Sequence, residues 1–276
     1  MAEESGRRIA GVRHTIHTHL WPHPAPRYTA VFVHGYADHA GRYGHLAGAL
    51  TRHGAAVYAP DHMGSGRSDG PRALVEDYEE LVDDVGTVVE SAREDHPNVP
   101  VVMIGHSIGG MVAARYAQRH PDSLSALVLV APVLGSWHTA TALLAFDEIP
   151  EMPMDVGSVM SREPDEAERY NKDPLIWHGA FVRRTLESVV ACLDRINDGG
   201  DLAFLPTLWL HGDADPLAQL EETRSGIEKI RGLHLTEQIY SGALHGIYHD
   251  SDKDRAIADT MKFIDDALGA PRSPER

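Results

Sequence analysis

The amino-acid sequence predicts an α/β fold with a mostly parallel, twisted sheet and helices on its faces. Short apolar runs of strand character alternate with amphipathic helical stripes along most of the chain, as βαβ units require. One such run, residues 101–104, stops at Gly105-His106-Ser107-Ile108-Gly109 and is followed by helix-forming residues. A strand, a sharp GxSxG turn and a helix together predict a nucleophile elbow with Ser107 as the nucleophile.

The composition is that of an ordinary globular protein, with 42% apolar and 24% charged residues. A length of 276 residues suits one large domain, or one domain with an insertion. The 41 acidic and 25 basic residues give a net charge of −16, which argues against a nucleic-acid partner. Cys192 is the only cysteine, so an intrachain disulfide and a cysteine metal cage are both excluded. We expect a cytoplasmic protein, because the sequence shows neither a secretory h-region nor 18 consecutive apolar residues.

The first half of the chain predicts most of the sheet. Residues 12–20 alternate as an outer strand does and place His17 and His19 on one face. No carboxylate or cysteine accompanies these histidines in the pattern, which favours a solvated edge strand over a metal site. Residues 30–33, 55–59, 99–104 and 127–130 predict buried strands, and residues 46–52 and 75–95 predict helices that face the sheet.

The alternation lapses over residues 135–201, which predicts a cap inserted between two parts of the core, residues 1–134 and 202–276. Methionine and aliphatic side chains occur there without strong periodicity, among them Ile149 and Met154. They suit a deformable acyl-chain pocket, and they equally suit simple packing of the cap onto the core. Residues 163–170 and 182–197 predict helices in this segment, and residues 217–230 and 255–268 predict two further helices over the sheet.

A serine hydroxyl is a weak nucleophile, so the elbow requires a base and an acid. In this strand context they follow Ser107 along the chain in the order acid, then histidine. Residues 208–210 form a short strand that leads to Asp213 and Asp215. Residues 236–240 form another, leading to His245 with His249 nearby. Order along the chain does not decide between Asp213 and Asp215 as the acid, or between His245 and His249 as the base.

Several spaced motifs carry a family resemblance. They are His34-Gly35, Gly41-Arg42-Tyr43, Asp61-His62-Met63-Gly64-Ser65-Gly66-Arg67-Ser68-Asp69-Gly70, the elbow, and Asn171-Lys172-Asp173-Pro174-Leu175. With Asp215 and His245 these resemble the α/β-hydrolase family, and within it the monoacylglycerol lipases and related lysophospholipase-like enzymes. The resemblance implies an α/β-hydrolase fold with a cap, and a catalytic triad of Ser107, Asp215 and His245.

The chemistry also requires an oxyanion hole made of two backbone N–H groups. One is expected after the nucleophile, at Ile108, and the resemblance places the other at Tyr36. The resemblance further implies that Asp38 and Arg42 bind the glycerol end of a substrate, although these two residues also suit a structural ion pair. Tyr248 stands where family members can use another histidine for substrate binding.

The sequence therefore predicts a serine hydrolase that cleaves carboxylic esters through an acyl-enzyme. By resemblance the substrate is a monoacylglycerol, and the products are fatty acid and glycerol. We expect neither a metal nor an organic cofactor, and at most a transient contact of the cap with a membrane or micelle. A carboxylesterase or lysophospholipase, an aminopeptidase, and a non-catalytic ligand-binding protein on the same fold remain alternatives.

Overall fold

The computed structural model describes residues 4–151 and 155–269. Its centre is an eight-stranded sheet with the order β1-β2-β4-β3-β5-β6-β7-β8. The strands are β1 (Ser5–Ala10), β2 (Thr15–Trp21), β3 (Tyr28–Val33), β4 (Ala55–Pro60), β5 (Val101–His106), β6 (Ala126–Val130), β7 (Thr207–Gly212) and β8 (Leu235–Tyr240). Strand β2 is antiparallel to β1 and β4, and the other neighbouring pairs are parallel. The predicted α/β fold with a mostly parallel sheet is confirmed.

Helices cover both faces of this sheet. They are α1 (Gly44–Arg52), α2 (Tyr78–Asp95), α3 (Ile108–Arg119), α4 (His138–Leu144), α5 (Val156–Met160), α6 (Pro164–Lys172), α7 (Arg183–Asp198), α8 (Leu220–Ile230) and α9 (Lys253–Leu268), with 3₁₀ turns at Ala40–Tyr43 and Ile247–His249. Buried residues of α2, α3, α7 and α8 share one hydrophobic cluster, and those of α1 and α9 share the cluster on the opposite face. The amphipathic stripes read from the sequence therefore do face the sheet.

The parallel register collects polar loops at one edge of the sheet. Gly105 of β5 lies opposite Val33 of β3, and His106 lies opposite Val130 of β6. On the far side, Gly212 of β7 is opposite the last residue of β8. Because the carboxyl ends of parallel strands meet at one edge, the loops after β3, β5, β7 and β8 converge there.

The prediction of a solvated edge strand at residues 12–20 is wrong. Strand β1 forms the edge, and β2 lies between β1 and β4. His19 is only 1% exposed, and its ring nitrogens lie 2.7 Å from Glu4 Oε1 and 3.2 Å from Asp61 Oδ2. The histidine that alternation placed on a solvated face is instead a buried partner of two carboxylates.

Helices α4 to α7 lie between β6 and β7 in the chain, in the segment predicted as a cap. The last of them packs firmly against the core. Its Thr185 and Ser188 hydroxyls each accept a backbone N–H, from Val75 and Tyr78, at 2.9 Å. Met160 of α5, Tyr170 of α6 and Ile176 form a separate small hydrophobic cluster.

No helix within the described ranges is long and apolar enough to cross a membrane. The same part of the chain contains no group of three or more histidine, cysteine or acidic side chains placed to hold a metal ion.

Candidate active site

Ser107 occupies a strained backbone position between β5 and α3. Its φ and ψ are 58° and −124°, which a residue with a side chain rarely adopts. The turn is tight because the flanking glycines touch backbone: a Cβ on Gly105 would lie 2.4 Å from the carbonyl oxygen of Gly109, and one on Gly109 would lie 2.1 Å from that of Val33. The elbow predicted from GxSxG therefore has the expected local geometry.

Asp215 and His245 meet beside this elbow, although they are 30 residues apart. His245 Nδ1 lies 2.7 Å from Asp215 Oδ2, and both residues are buried. The other carboxylate oxygen accepts the backbone N–H groups of Leu217 at 2.8 Å and Ala218 at 3.0 Å. Burial alone would raise the pKa of Asp215, but His245 and these hydrogen bonds lower it below its usual value. Asp215 is therefore ionised and accepts a hydrogen bond from Nδ1–H of the imidazole.

Ser107 and His245 line one cavity of about 630 Å³. Within the described ranges, no hydrogen bond joins the Ser107 hydroxyl to His245. Such bonds are often long in enzymes without substrate and shorten in the complex. The imidazole is thus fixed at Nδ1, and its Nε2 is the nitrogen left for a reacting group.

Tyr36 and Ile108 line the same cavity. Ile108 is the first residue of α3, and the N–H groups of a first helical turn have no acceptor within the helix. The ring of Tyr36 is stacked on Phe181 of the segment after β6, with centroids 5.0 Å apart. This contact packs the Tyr36 side chain against the segment after β6.

The remaining lining is largely apolar, as expected of a small-molecule pocket. Its aromatic members are Tyr36, Trp137, Tyr170, Trp177 and Phe181, and its aliphatic members include Val133, Val156, Val159, Met160 and Leu217. Some of the methionine and aliphatic residues of the segment 135–201 therefore form part of the cavity wall. The tryptophans and Phe181 were missed, although aromatic residues are scarce in this chain, at 7%, and several fall in that segment.

Asp38 and Arg42 form a buried ion pair. Arg42 Nη1 lies 3.0 Å from each carboxylate oxygen of Asp38, and Tyr43 Oη lies 2.8 Å from Oδ2. Burial alone would raise the pKa of Asp38, but Arg42 lowers it well below its ordinary value. Asp38 borders the cavity, whereas Arg42 lines a different, larger cleft. The structural ion pair is therefore the interpretation that these contacts favour.

The other predicted substrate contacts are not all brought to the cavity. Tyr248 is fully buried, and its hydroxyl lies 2.8 Å from Thr260 Oγ1 on α9. Ile149 packs against the main hydrophobic cluster and is not part of the cavity wall. Met154 lies outside the described residues. Sequence position relative to His245 was a poor guide for Tyr248, because the 3₁₀ turn at Ile247–His249 directs its side chain into the core.

The alternative candidates for the acid and the base, Asp213 and His249, lie in different environments. Asp213 is exposed, and its Oδ1 accepts the N–H of Gly242 at 2.5 Å. His249 is buried, its Nε2 has no hydrogen-bond partner among the described residues, and it lines the second cleft. Neither residue lines the cavity that contains Ser107.

Comparison with known proteins gives a consistent picture. A family model described as "Serine aminopeptidase, S33" matches residues 24–252. A monoacylglycerol lipase of Mycolicibacterium smegmatis is 31% identical over 273 residues, covering 95% of this chain and 96% of the relative. The monoglyceride lipase of Homo sapiens is 31% identical over 239 residues, covering 83% and 78%.

Solved structures agree with this fold. The crystal structure of a Paleococcus ferrophilus monoacylglycerol lipase superposes with a TM-score of 0.78 at 27% identity, covering 91% of this chain and 99% of that one. A soluble variant of the Saccharomyces cerevisiae monoglyceride lipase, solved with a substrate analog, gives 0.83 at 16% identity, covering 97% and 96%. The second likeness supports the fold alone.

Proposed function

This chain belongs to the α/β-hydrolase family whose model is described as serine aminopeptidase S33, in the branch of the monoacylglycerol lipases, and from that premise we propose that it hydrolyses monoacylglycerols to fatty acid and glycerol. The observation that carries the chemistry is the buried 2.7 Å contact between His245 and Asp215, beside Ser107 at a strained elbow. The relatives' names supply the substrate class.

In the first half-reaction, Ser107 Oγ attacks the ester carbonyl carbon while its proton passes to His245 Nε2. The carbonyl oxygen becomes an oxyanion that accepts hydrogen bonds from the N–H groups of Tyr36 and Ile108, each worth about 2.7–4 kcal/mol in comparable sites. Asp215 orients the imidazole and stabilises its protonated form. The imidazolium then gives its proton to the leaving glycerol oxygen as the C–O bond breaks, which leaves an acyl group on Ser107.

In the second half-reaction, water takes the place that glycerol has left. His245 removes a proton from the water, and the resulting oxygen attacks the acyl carbonyl. The same two amides stabilise the second oxyanion. Collapse returns the proton to Ser107 and releases the fatty acid, so the enzyme ends in its starting state.

The substrate proposal draws support from the shape and lining of the cavity. A volume of about 630 Å³ lies within the range of single small-molecule sites. Aromatic and aliphatic side chains suit one acyl chain. We assign residues 135–201 as the cap, since part of the wall comes from this segment. We also retain a cytoplasmic location, consistent with a lone, buried and unpaired cysteine.

The cavity wall gives less support to the hypothesis that the protein is an aminopeptidase. Recognition of a substrate ammonium requires a free carboxylate, and the two aspartates of the lining are Asp38 and Asp155. Asp38 is paired with Arg42. Asp155 accepts the N–H of Ser158 at 3.2 Å and the amide of Asn171 at 2.6 Å.

The deciding experiment compares initial rates on mono-, di- and triacylglycerols of matched chain length, with a lysophospholipid of the same chain as a fourth substrate. We expect the monoacylglycerol to be cleaved at least about tenfold faster than the others, and Ser107→Ala to lose this activity by a factor on the order of 10⁶. Preference for the lysophospholipid or triacylglycerol would overturn the substrate assignment. Activity retained in Ser107→Ala would overturn the mechanism.

A further inference from the structure

His106, the residue before the nucleophile, joins two parts of the site. Its side chain is 2% exposed, and its Nε2 lies 3.0 Å from the backbone carbonyl oxygen of His245. Its Nδ1 lies 3.1 Å from Tyr43 Oη. The rings of His106 and His245 are in contact, with centroids 4.9 Å apart. One imidazole thus connects the loop after β3 with the loop that carries His245.

The protonation state of His106 follows from its hydrogen-bond partners. A carbonyl oxygen only accepts, so Nε2 of His106 carries the proton that it donates to His245. Burial, and then the proximity of His245, lower the pKa of His106 to about 3, which keeps the ring neutral with a single N–H. Its Nδ1 is therefore an acceptor, and the hydroxyl of Tyr43 is the donor within reach.

Tyr43 is supported in this role by the ion pair behind it. Burial, and then Asp38, raise the pKa of Tyr43 well above its usual value, so the phenol keeps its proton. That single proton faces two acceptors, His106 Nδ1 and Asp38 Oδ2. The Asp38 carboxylate also receives Arg42 and the N–H of His39, whereas His106 Nδ1 has Tyr43 alone among the described residues.

The hydrogen bond to the carbonyl of His245 joins that loop to His106, the last residue of β5. The neighbouring N–H groups of His245 and Gly246 bond instead to carbonyls of α5, those of Val159 at 3.4 Å and Met160 at 2.8 Å. His106 and Ser107 are consecutive residues. A contact from His106 therefore positions His245 against the same backbone that positions the nucleophile.

We propose that His106, with Nε2 bonded to the carbonyl of His245 and Nδ1 facing the Tyr43 hydroxyl, is a positioning residue that holds His245 in register with Ser107. This inference rests on the proposed function, in which Ser107 is the nucleophile and His245 the base. It gives Tyr43 and the Asp38–Arg42 pair a task in the hydrolysis that requires no contact with the alcohol.

The test replaces the donor while keeping the ring. In His106→Phe the side chain still fills the space but donates no hydrogen bond, and in His106→Gln an amide N–H can still reach the carbonyl. We expect His106→Phe to lower kcat about 10- to 100-fold, as misplacement by about 1 Å does, with KM changed less than about twofold. His106→Gln recovers most of the loss.

A loss of kcat at a nearly unchanged KM, recovered in His106→Gln, separates positioning from mere structure. Tyr43→Phe should act in the same direction, and it should add little in the His106→Phe background because both changes interrupt one chain. Circular dichroism and thermal denaturation check folding, and Tyr43→Phe carries the test if His106→Phe does not fold.

The outcomes are distinct from those that test the proposed function. Wild-type kcat in His106→Phe, in a protein that Ser107→Ala inactivates, overturns this inference alone. Additive effects of the Tyr43 and His106 changes overturn the link between them. Activity that survives Ser107→Ala overturns the proposed function itself.

Discussion

At the scale of single residues, two aspartates close together in one loop have different environments. Asp215 Oδ2 lies 2.7 Å from His245, and its second oxygen is held by two backbone N–H groups. Asp213 is exposed and accepts a backbone N–H from Gly242. The first carboxylate can fix a tautomer of the imidazole, whereas the second can only stabilise the turn after β8.

This difference predicts opposite outcomes for a matched pair of variants. Asp215→Asn keeps the size of the side chain but loses the charge, so kcat should fall by about 10⁴, as in other serine triads. Asp213→Asn should leave kcat within about threefold and change chiefly the thermal stability. Initial rates and melting curves on both purified variants check this. Equal losses of kcat, or a larger loss in Asp213→Asn, would contradict the assignment of the acid.

Order along the chain and strand context predicted two candidate acids and two candidate bases, and the family resemblance selected Asp215 and His245 among them. Side-chain direction is different, since it depends on local turns. Tyr248 was expected at the substrate, yet a 3₁₀ turn buries it beneath α9. His106 drew no attention in the sequence, because its role depends on contacts with Tyr43 and with a carbonyl 139 residues away.

At the scale of elements, the elbow depends on close packing of α3 against β3. Gly109 lies where a Cβ would be 2.1 Å from the carbonyl oxygen of Val33 and 2.4 Å from that of His34. Both are backbone atoms, so neither can yield as a flexible side chain would. The helix can approach the strand this closely only because the residue there is glycine.

Gly109→Ala should therefore destabilise the protein by about 3 kcal/mol, the upper end of the range for overpacking. Gly86→Ala in α2 is the matched control, because its Cβ would meet only Tyr116 Cε2 at 3.5 Å, an ordinary contact. That change should stabilise by about 0.5–1 kcal/mol through helix propensity. Urea unfolding of both variants measures the difference. A Gly109→Ala variant as stable as the wild type would show that the turn relaxes.

Seven of the eight strands of the sheet were predicted from the sequence, and β1 was not. Strand β1 was missed because five of its six residues are exposed or partly exposed, so it has no apolar run. That omission left β2 as the apparent edge and His19 on an apparently solvated face. In the segment after β6, α4 and α5 have seven and five residues, too short for a clear helical period.

At the scale of the whole molecule, buried neutral histidines are a common feature of the core around the site. Burial lowers the pKa of His34, His62, His106 and His249. In the unfolded chain these rings take protons near the ordinary pKa of about 6.5. Between that value and the lowered pKa of the folded rings, the unfolded state then binds more protons than the folded state, so stability falls as the pH is lowered.

We therefore expect the melting temperature to decline from about pH 6.5 downward, before most carboxylates titrate. His249→Phe should make this decline shallower, because unfolding of the variant then takes up about one proton fewer. The substitution breaks no side-chain hydrogen bond at Nε2, which has no partner among the described residues. His120→Gln, at an exposed position, should leave the slope unchanged. Calorimetry across pH 5–8 provides the measurement. A constant melting temperature between pH 7 and pH 5 would contradict this account.

The central claim is that Ser107 is the nucleophile and His245 its base. It is tested most directly by reaction with a fluorophosphonate, followed by peptide mapping of the adduct and by the labelling rate in His245→Gln. We predict one adduct per chain, on Ser107, and a labelling rate that falls at least about 10³-fold in the variant. An adduct on another residue, or equal labelling rates in the two proteins, would contradict the claim.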